Sequence, residues 1–248
     1  MLFSRKKTPG RLKGIGHREK KAECFYSEAE RMFLRSELMS DPLRLRIHRS
    51  LSWLVQSEKL AGVSADCCFM TLWVAFNAAY GKDMGPVDCA GDRAGYKEFI
   101  GTVCTLDTNG VIGNALFSSF SSSVRVLLEN RFCYQPFWNA VNGRISMKDA
   151  SARFCVDRHK AYQALEQGDH SRLLGIVADR IYTLRNQILH GGATCESSAN
   201  RKVVATATEI LKKVVPAILI VMMEHPEHVW GAPIYPYLKD GIDKDWKV

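Results

Sequence analysis

The chain has 248 residues, of which 46% are hydrophobic and 24% are charged, and its formal net charge is +8. This balance is typical of a globular protein that buries a core. The longest apolar run, residues 214–223, includes Pro216. A membrane-spanning helix needs about 20 apolar residues, so the sequence excludes a membrane span and predicts no membrane partner.

The positive charge is concentrated in residues 1–21. This segment contains eight Lys or Arg and one acid, Glu19, which is +7 of the net +8, and residues 22–248 carry the remaining +1. The segment is therefore predicted to be a basic, flexible arm that either binds phosphate groups or is a silent, solvated terminus. No apolar stretch follows the basic residues, so we expect no secretory signal and a cytoplasmic location.

Helical periodicity recurs from residue 22 onward, and strand-like alternation is scarce, so the sequence predicts an all-α fold. The predicted helices cover residues 23–38, 43–60, 64–81, 94–106, 113–130, 146–167, 170–190 and 200–225, with a loop over 82–91. The last helix is expected to bend at Pro216. Residues 22–225 would form one helical domain, and 226–248 would be an extended tail packed on it through Trp230, Tyr235 and Tyr237.

The eight cysteines do not form a Cys-x-x-Cys pair, and most lie in apolar helical segments. They are Cys24, Cys67, Cys68, Cys89, Cys104, Cys133, Cys155 and Cys195. We expect reduced thiols in the core, because metal-ligand spacings are missing and no secretory signal is predicted. A structural disulfide or a metal site is therefore not expected.

The helix predicted at 170–190 has an apolar face and a polar face at 100° per residue. The apolar face consists of Val177, Ile181, Leu184 and Ile188. The polar face consists of Asp179, Tyr182, Asn186 and His190, with Arg185 on its flank. Most polar faces are simply solvated. Tyr182 and Leu189 lie on the polar side, however, which indicates that another surface covers it.

His190 ends this helix and is followed by two glycines. A helix C-terminus stabilises positive charge by roughly 0.3–1 kcal/mol, which suits a histidine that exchanges protons near neutral pH. The spacing from Arg185 proves little, since Arg11–His17 and Arg153–His159 are similar pairs. What distinguishes Arg185 is the asparagine directly after it, the amphipathic helix before it and the glycine stop behind His190.

Residues 182–192, Tyr-Thr-Leu-Arg-Asn-Gln-Ile-Leu-His-Gly-Gly, resemble the motif of the HEPN superfamily of helical nucleases. Members share an Arg, usually a polar residue, a few apolar residues and a His on a late helix of an antiparallel bundle. The matching residues are Arg185, Asn186 and His190. The helix at 72–81 is similar to an early helix of Apea-like HEPN proteins. The toxins of the HEPN–nucleotidyltransferase type carry a tyrosine where this chain has Gly192, which argues against regulation through such a tyrosine.

The resemblance implies a homodimeric endoribonuclease that needs no metal and no cofactor. RNA contains its own nucleophile, the 2′-hydroxyl, so the enzyme must move protons and stabilise charge. His190 would be the general acid or base, Arg185 would stabilise the phosphate, and Asn186 would orient the histidine or donate to the phosphate. Two copies facing each other would provide both an acid and a base in one composite site. The resemblance further implies a toxin or antiviral defence effector, with a protein inhibitor or regulator as a further partner.

Three more residues are candidates for contacting the substrate or supporting the catalytic residues: Tyr182, Gln187 and Asn77. The aromatic residues Trp73, Phe76 and Tyr80 are expected to be core, whereas the amide of Asn77 needs partners in an apolar helix.

The alternative to an enzyme is a non-catalytic HEPN module that binds RNA, a nucleotide or a protein in the same groove. A helical interaction protein with a merely solvated polar face is a third possibility. The presence of Arg, Asn and His together favours the enzyme.

Overall fold

The computed structural model describes residues 19–83, 92–119 and 124–236, and these ranges fold into helices without a strand. The all-α prediction is therefore confirmed for the described part. The α-helices are α1 Glu19–Arg35, α2 Asp41–Leu60, α3 Ala65–Tyr80, α4 Asp92–Leu106, α5 Val111–Ser119, α6 Arg125–Glu129, α7 Gln135–Val141, α8 Met147–Glu166, α9 His170–Leu189 and α10 Arg201–Glu224. Within these ranges no helix is long and apolar enough to cross a membrane. Most of the predicted arm and of the loop at 82–91 lie outside the described residues.

Helices α2 and α3 pack extensively against each other. Pro42 lies in the first turn of α2, where a missing backbone N–H costs nothing. Ser64 caps α3 by accepting a hydrogen bond from the Cys67 backbone N–H at 3.4 Å. Leu43 and Ile47 recur at helical spacing and are fully buried. Both residues belong to the hydrophobic core that α2 and α3 help to form.

The centre of the molecule is α10. Its residues from Val214 to Met223 are all buried, and it packs against α1, α3 and α5. Because these residues lie in the protein core, the long apolar run at 214–223 is explained without a membrane-spanning segment. The helix continues through Pro216, which is itself buried.

Within the segment predicted as one helix at 113–130, the described residues up to Glu129 are helical, since α5 ends at Ser119 and α6 begins at Arg125. Residues 120–123 lie outside the described residues.

A short 3₁₀ helix, Arg131–Cys133, and α7 were not predicted. Both are too short for a helical hydrophobic period to be visible. The 3₁₀ helix begins because the Asn130 side chain accepts a hydrogen bond from the Phe132 backbone N–H at 2.8 Å. Pro136 lies in the first turn of α7.

The segment after α10 packs on the body through one of the three predicted aromatics. Trp230 is buried against Phe99, and its carbonyl accepts a hydrogen bond from Arg46 of α2. The prediction for Tyr235 is wrong, because 78% of its surface is exposed. Tyr237 lies outside the described residues.

The prediction of core cysteines holds only in part. Cys68 and Cys133 are buried and Cys104 is half-buried, but three others are exposed: Cys67, Cys155 and Cys195. These three lie on outer helix faces or in a loop, which a predominantly apolar neighbourhood in sequence does not reveal. All six are free thiols, and the side chains of Cys24 and Cys89 lie outside the description.

Candidate functional site

Helix α9 carries the candidate motif, and its two ends are defined by local hydrogen bonds. Asp169 caps the start by accepting from the Arg172 backbone N–H at 2.9 Å. At the other end the His190 backbone N–H donates to the Asn186 carbonyl at 3.0 Å. Gly191 then adopts a φ of 70°, the left-handed conformation that terminates helices and that glycine adopts most readily. His190 is therefore held at the helix end, as the sequence predicted.

The predicted apolar face of α9 is confirmed. Val177, Ile181 and Leu184 are at most 2% exposed, and Ile188 is half-buried against the core.

The predicted cover over the polar face is present along its first half. Helix α4 packs along α9 and covers Asp179 and Tyr182. The Asp179 carboxylate accepts hydrogen bonds from Arg93 Nε at 2.7 Å, Tyr96 Oη at 2.6 Å and Lys97 Nζ at 2.9 Å. A projection of one helix cannot show which neighbour will lie against its polar face, so the covered half could not be distinguished from the open half.

The Asp179 cluster fastens α4 to α9. Burial raises the pKa of Asp179, but the hydrogen bonds from Arg93, Lys97 and Tyr96 outweigh it and hold the pKa below the usual range. The bond to Asp179 also raises the pKa of Arg93, and burial raises that of Tyr96. A carboxylate that is satisfied in this way is suited to anchoring a helix pair.

Arg185 is half-buried beside two aromatic rings. Its Cζ lies 5.8 Å from the centre of the Trp73 ring and 5.6 Å from that of Tyr182, close enough for cation–π attraction. Its Nη1 donates to Asn186 Oδ1 at 2.9 Å. No carboxylate among the described residues forms an ion pair with it, and its buried Nε has no hydrogen-bond partner there. The guanidinium is thus oriented but not neutralised.

Two buried polar atoms of α3 are unpaired within the described part of the chain, Trp73 Nε1 and Asn77 Oδ1. The two residues are one helical turn apart, and the Trp73 ring is the one that lies beside Arg185. Buried polar groups are hydrogen-bonded in the great majority of native structures. This part of α3 therefore has spare hydrogen-bonding capacity, which the sequence indicated for Asn77 but not for Trp73.

Gln187 is used to hold the end of α9 in place. Its Nε2 donates to the Phe132 carbonyl at 2.6 Å, and its Oε1 accepts from Asn200 Nδ2 at 3.4 Å. These contacts tie the helix to the 3₁₀ helix and to the start of α10.

His190 and Leu189 are exposed at the helix end, with 51% of Leu189 accessible. Within the described ranges no side chain is hydrogen-bonded to the His190 ring. Arg185 and Asn186 contact each other, whereas His190 lies one turn beyond Asn186 on open surface. One protomer thus presents a half-buried cation, an amide and an accessible imidazole along one helix end.

The two other Arg-to-His pairs differ from this arrangement. Arg153 and His159 are both exposed on α8. Arg11 and His17 lie outside the described residues. A further pair of similar spacing, Arg44 and His48, is on α2, where the Arg44 side chain donates to the Ser36 carbonyl at 2.6 Å. The α9 motif therefore differs from the α8 pair in the burial of its arginine. It differs from the α2 pair in the bond between Arg185 and Asn186 and in the buried Nε of Arg185, which has no partner among the described residues.

His225 and His228 are three residues apart at the end of α10, and each contacts another part of the protein. His225 Nε2 lies 2.9 Å from the Leu106 carbonyl, and the His228 ring packs on Trp230. Among the described residues no group of three or more His, Cys, Asp or Glu is placed to hold a metal ion.

Comparison with known proteins adds no relative to this picture: no family model, no curated protein and no solved structure matches the chain.

Proposed function

We propose that the protein is a metal-independent endoribonuclease of the HEPN type, active as a homodimer. The observation that supports this most is Arg185, a half-buried arginine held by Trp73, Tyr182 and Asn186 without an acidic partner among the described residues. It lies one turn before an exposed histidine. A guanidinium without an acidic partner and an accessible imidazole at the end of the same helix suit a reaction that needs charge stabilisation and proton transfer.

The reaction proceeds by attack of the RNA 2′-oxygen on the adjacent phosphorus. The 2′-oxygen loses its proton to a general base as the new P–O bond forms. The P–O5′ bond breaks, and a general acid protonates the leaving 5′-oxygen. The products are a 2′,3′-cyclic phosphate and a 5′-hydroxyl, and DNA is not cut because it lacks the 2′-hydroxyl.

Arg185 stabilises the charge that grows on the phosphate oxygens in the transition state. Its planar array of N–H donors matches two phosphate oxygens. The aromatic rings beside it and the bond to Asn186 restrict its rotation, so little freedom is lost when the phosphate binds. Asn186 holds Arg185 through its side-chain oxygen, which leaves its amide N–H groups to donate to the phosphate.

A second copy of the chain completes the site. One protomer contributes one histidine at this position, whereas the reaction uses an acid and a base. Leu189, next to His190, exposes 51% of its surface, which suits a contact between two copies. Two such helix ends facing across a twofold axis would bring both histidines to one phosphate.

The test is RNA cleavage in excess EDTA by the wild type, His190→Ala and Arg185→Ala. We expect the wild type to cleave and each variant to lose at least about 100-fold in rate, the lower limit for removing a general acid or base. His159→Ala and Arg153→Ala are matched controls, because both residues are exposed on α8 with a similar spacing. These controls should cleave like the wild type.

Product analysis sharpens the test. A 2′,3′-cyclic phosphate terminus is expected, and a DNA strand of the same sequence should remain intact. Equal cleavage by the wild type and His190→Ala would exclude the proposed chemistry. Binding of RNA by a dimeric wild type that does not cleave would favour the non-catalytic HEPN module instead.

A further inference from the structure

A second, separate cleft lies among α4, α7, α8 and α9. Its volume is about 620 Å³, within the range of small-molecule sites, and its lining does not include Arg185, Asn186 or His190. Its charged lining residues are Arg93, Lys97, Asp157, Lys160, Arg172, Asp179 and Arg180. Basic groups outnumber carboxylates five to two. Four of the five basic groups lie in ion pairs, Arg93 and Lys97 with Asp179, Lys160 with Asp157, and Arg172 with Asp169 at 3.5 Å. Arg180 has no such partner among the described residues, so the cleft and these carboxylates together keep a surplus of positive charge.

Arg180 is the unusual member of this lining. Only 2% of its surface is exposed, and its Nε, Nη1 and Nη2 have no hydrogen-bond acceptor among the described residues. The face of its guanidinium lies on aromatic rings, with Cζ 4.0 Å from the centre of Tyr134 and 5.0 Å from that of Phe154. The rings offset part of the cost of burying the charge, but they leave the N–H edge without acceptors.

The two carboxylates of the cleft are already engaged by other donors. Asp179 accepts from three groups on α4, as described above. Asp157 accepts from Tyr134 Oη at 2.7 Å and lies 3.8 Å from Lys160 Nζ. Neither forms an ion pair with Arg180. The acceptors that the buried guanidinium needs must therefore come from outside this set.

We propose that this cleft binds a small, phosphate-bearing ligand of about nucleotide size, recognised by Arg180. A terminal phosphate has several acceptor oxygens and a charge that the surplus of basic groups balances. Arg180 is the buried cation of the lining, while Lys97, Lys160 and Arg172 add positive charge on half-exposed side chains. Tyr134 and Phe154 keep the guanidinium plane fixed behind it. The phosphate comes either from a free nucleotide or from the end of an RNA strand.

Calorimetric titration with AMP and with inorganic phosphate tests the proposal. We expect both to bind the wild type, AMP more tightly, and Arg180→Met to weaken AMP binding at least about tenfold. Arg31→Met is the matched control, because Arg31 is exposed on α1 away from the cleft. This variant should bind AMP with the affinity of the wild type. Methionine replaces a buried charge by an apolar side chain of similar length, a change that folded proteins often tolerate.

A second variant keeps the test informative if Arg180→Met does not fold. Lys160→Gln alters an exposed side chain on α8, so it should fold normally, weaken AMP binding severalfold and reduce its salt dependence. Absence of binding to the wild type at millimolar AMP, or equal affinity in the wild type and Arg180→Met, would overturn the proposal.

Competition with oligonucleotides identifies the source of the phosphate. Displacement of AMP by a 5′-phosphorylated RNA oligonucleotide assigns an RNA end, and no displacement assigns a free nucleotide. Equal displacement by the unphosphorylated oligonucleotide would contradict recognition of a terminal phosphate. The outcome is independent of the ribonuclease proposal, because His190→Ala should bind AMP like the wild type.

Discussion

Arg46, Arg180 and Arg185 are all wholly or partly buried, and they differ in what surrounds the guanidinium. Arg46 donates to the carbonyls of Trp230 and Ala79, so its hydrogen bonds are structural. Arg185 is bonded to Asn186 and lies near aromatic rings, whereas Arg180 has aromatic neighbours but no acceptor in the described part of the chain. Within the described ranges Arg46 and Arg185 each leave only a buried Nε unpaired, whereas all three nitrogens of Arg180 lack a partner, so the proposed need for an outside anion is greatest at Arg180.

The role of Arg46 can be tested by its replacement with methionine. Burial lowers the pKa of Arg46 to about 10, so the side chain is still charged at neutral pH. Arg46→Met leaves two buried carbonyls without donors and should reduce the free energy of unfolding by about 2–4 kcal/mol. Urea denaturation measures the change. Arg153→Met, on an exposed face of α8, should lie within about 0.5 kcal/mol of the wild type, and an equal loss in both variants would contradict the structural role.

Asp179 predicts a specific pH dependence of stability. Its pKa in the folded protein is below the unfolded value of about 3.9, so its contribution is present above that value and is lost as the pH falls through the folded pKa. Asp179→Asn should therefore be less stable at pH 7 by about 1–3 kcal/mol and should lose less stability on acidification below pH ~4. Thermal unfolding from pH 7 to pH 2 measures both effects. Glu166→Gln, exposed at the end of α8, should retain the pH profile of the wild type.

At the scale of elements, α9 connects the two proposed sites. One face enters the core, a second is fastened by α4, and the C-terminal turn presents His190. The glycine inside α9 and the glycine that follows the helix have different backbone conformations. Gly175 lies inside the helix with open space where a Cβ would be, whereas Gly191 needs a positive φ of 70°.

Alanine at these two glycines should therefore have opposite effects. Gly175→Ala should raise the free energy of unfolding by about 0.5–1 kcal/mol, because alanine loses less entropy in a helix. Gly191→Ala should lower it by about 1 kcal/mol, because an L side chain is disfavoured at positive φ. Chemical denaturation of both variants measures the pair. A lower free energy of unfolding for Gly175→Ala would mean that another group of the protein occupies the space beside Gly175.

At the scale of the whole molecule, α10 forms the centre and the other helices pack around it, so the end of α9 is left at the surface. Tyr182 and Asp179 lie under α4, and the accessible part of the candidate site is reduced to the last turn. A site of this kind, with one histidine at an exposed helix end, is incomplete in a single copy for acid–base cleavage. The proposed enzyme therefore depends on its assembly.

Leu189→Asp tests that dependence. A buried carboxylate at a twofold contact would repel its own copy, so the variant should sediment as a monomer and lose RNA cleavage at least about tenfold. Val156→Asp is the matched control, because Val156 is exposed to 52% on α8, against 51% for Leu189. The control should remain dimeric and active. A wild type that sediments as a monomer at all concentrations would refute the composite site.

The sequence by itself determined the helical class, most helix positions, the apolar face of α9 and the location of His190. These depend on local periodicity, capping residues and glycine stops, which act over a few residues of the chain. It could not determine the short 3₁₀ helix or α7, because neither extends over enough turns to show a period.

Only the tertiary structure decided which polar residues of α9 are covered and which are open. The partners of Asp179, Arg180 and Arg185 come from α3, α4, α8 and the segment before α7, far away in the sequence. Whether a side chain is buried, paired or left with unmet donors depends on those long-range contacts. The second cleft and the unpaired Arg180 therefore became visible only in the folded chain, whereas the Arg185–His190 motif could be recognised beforehand.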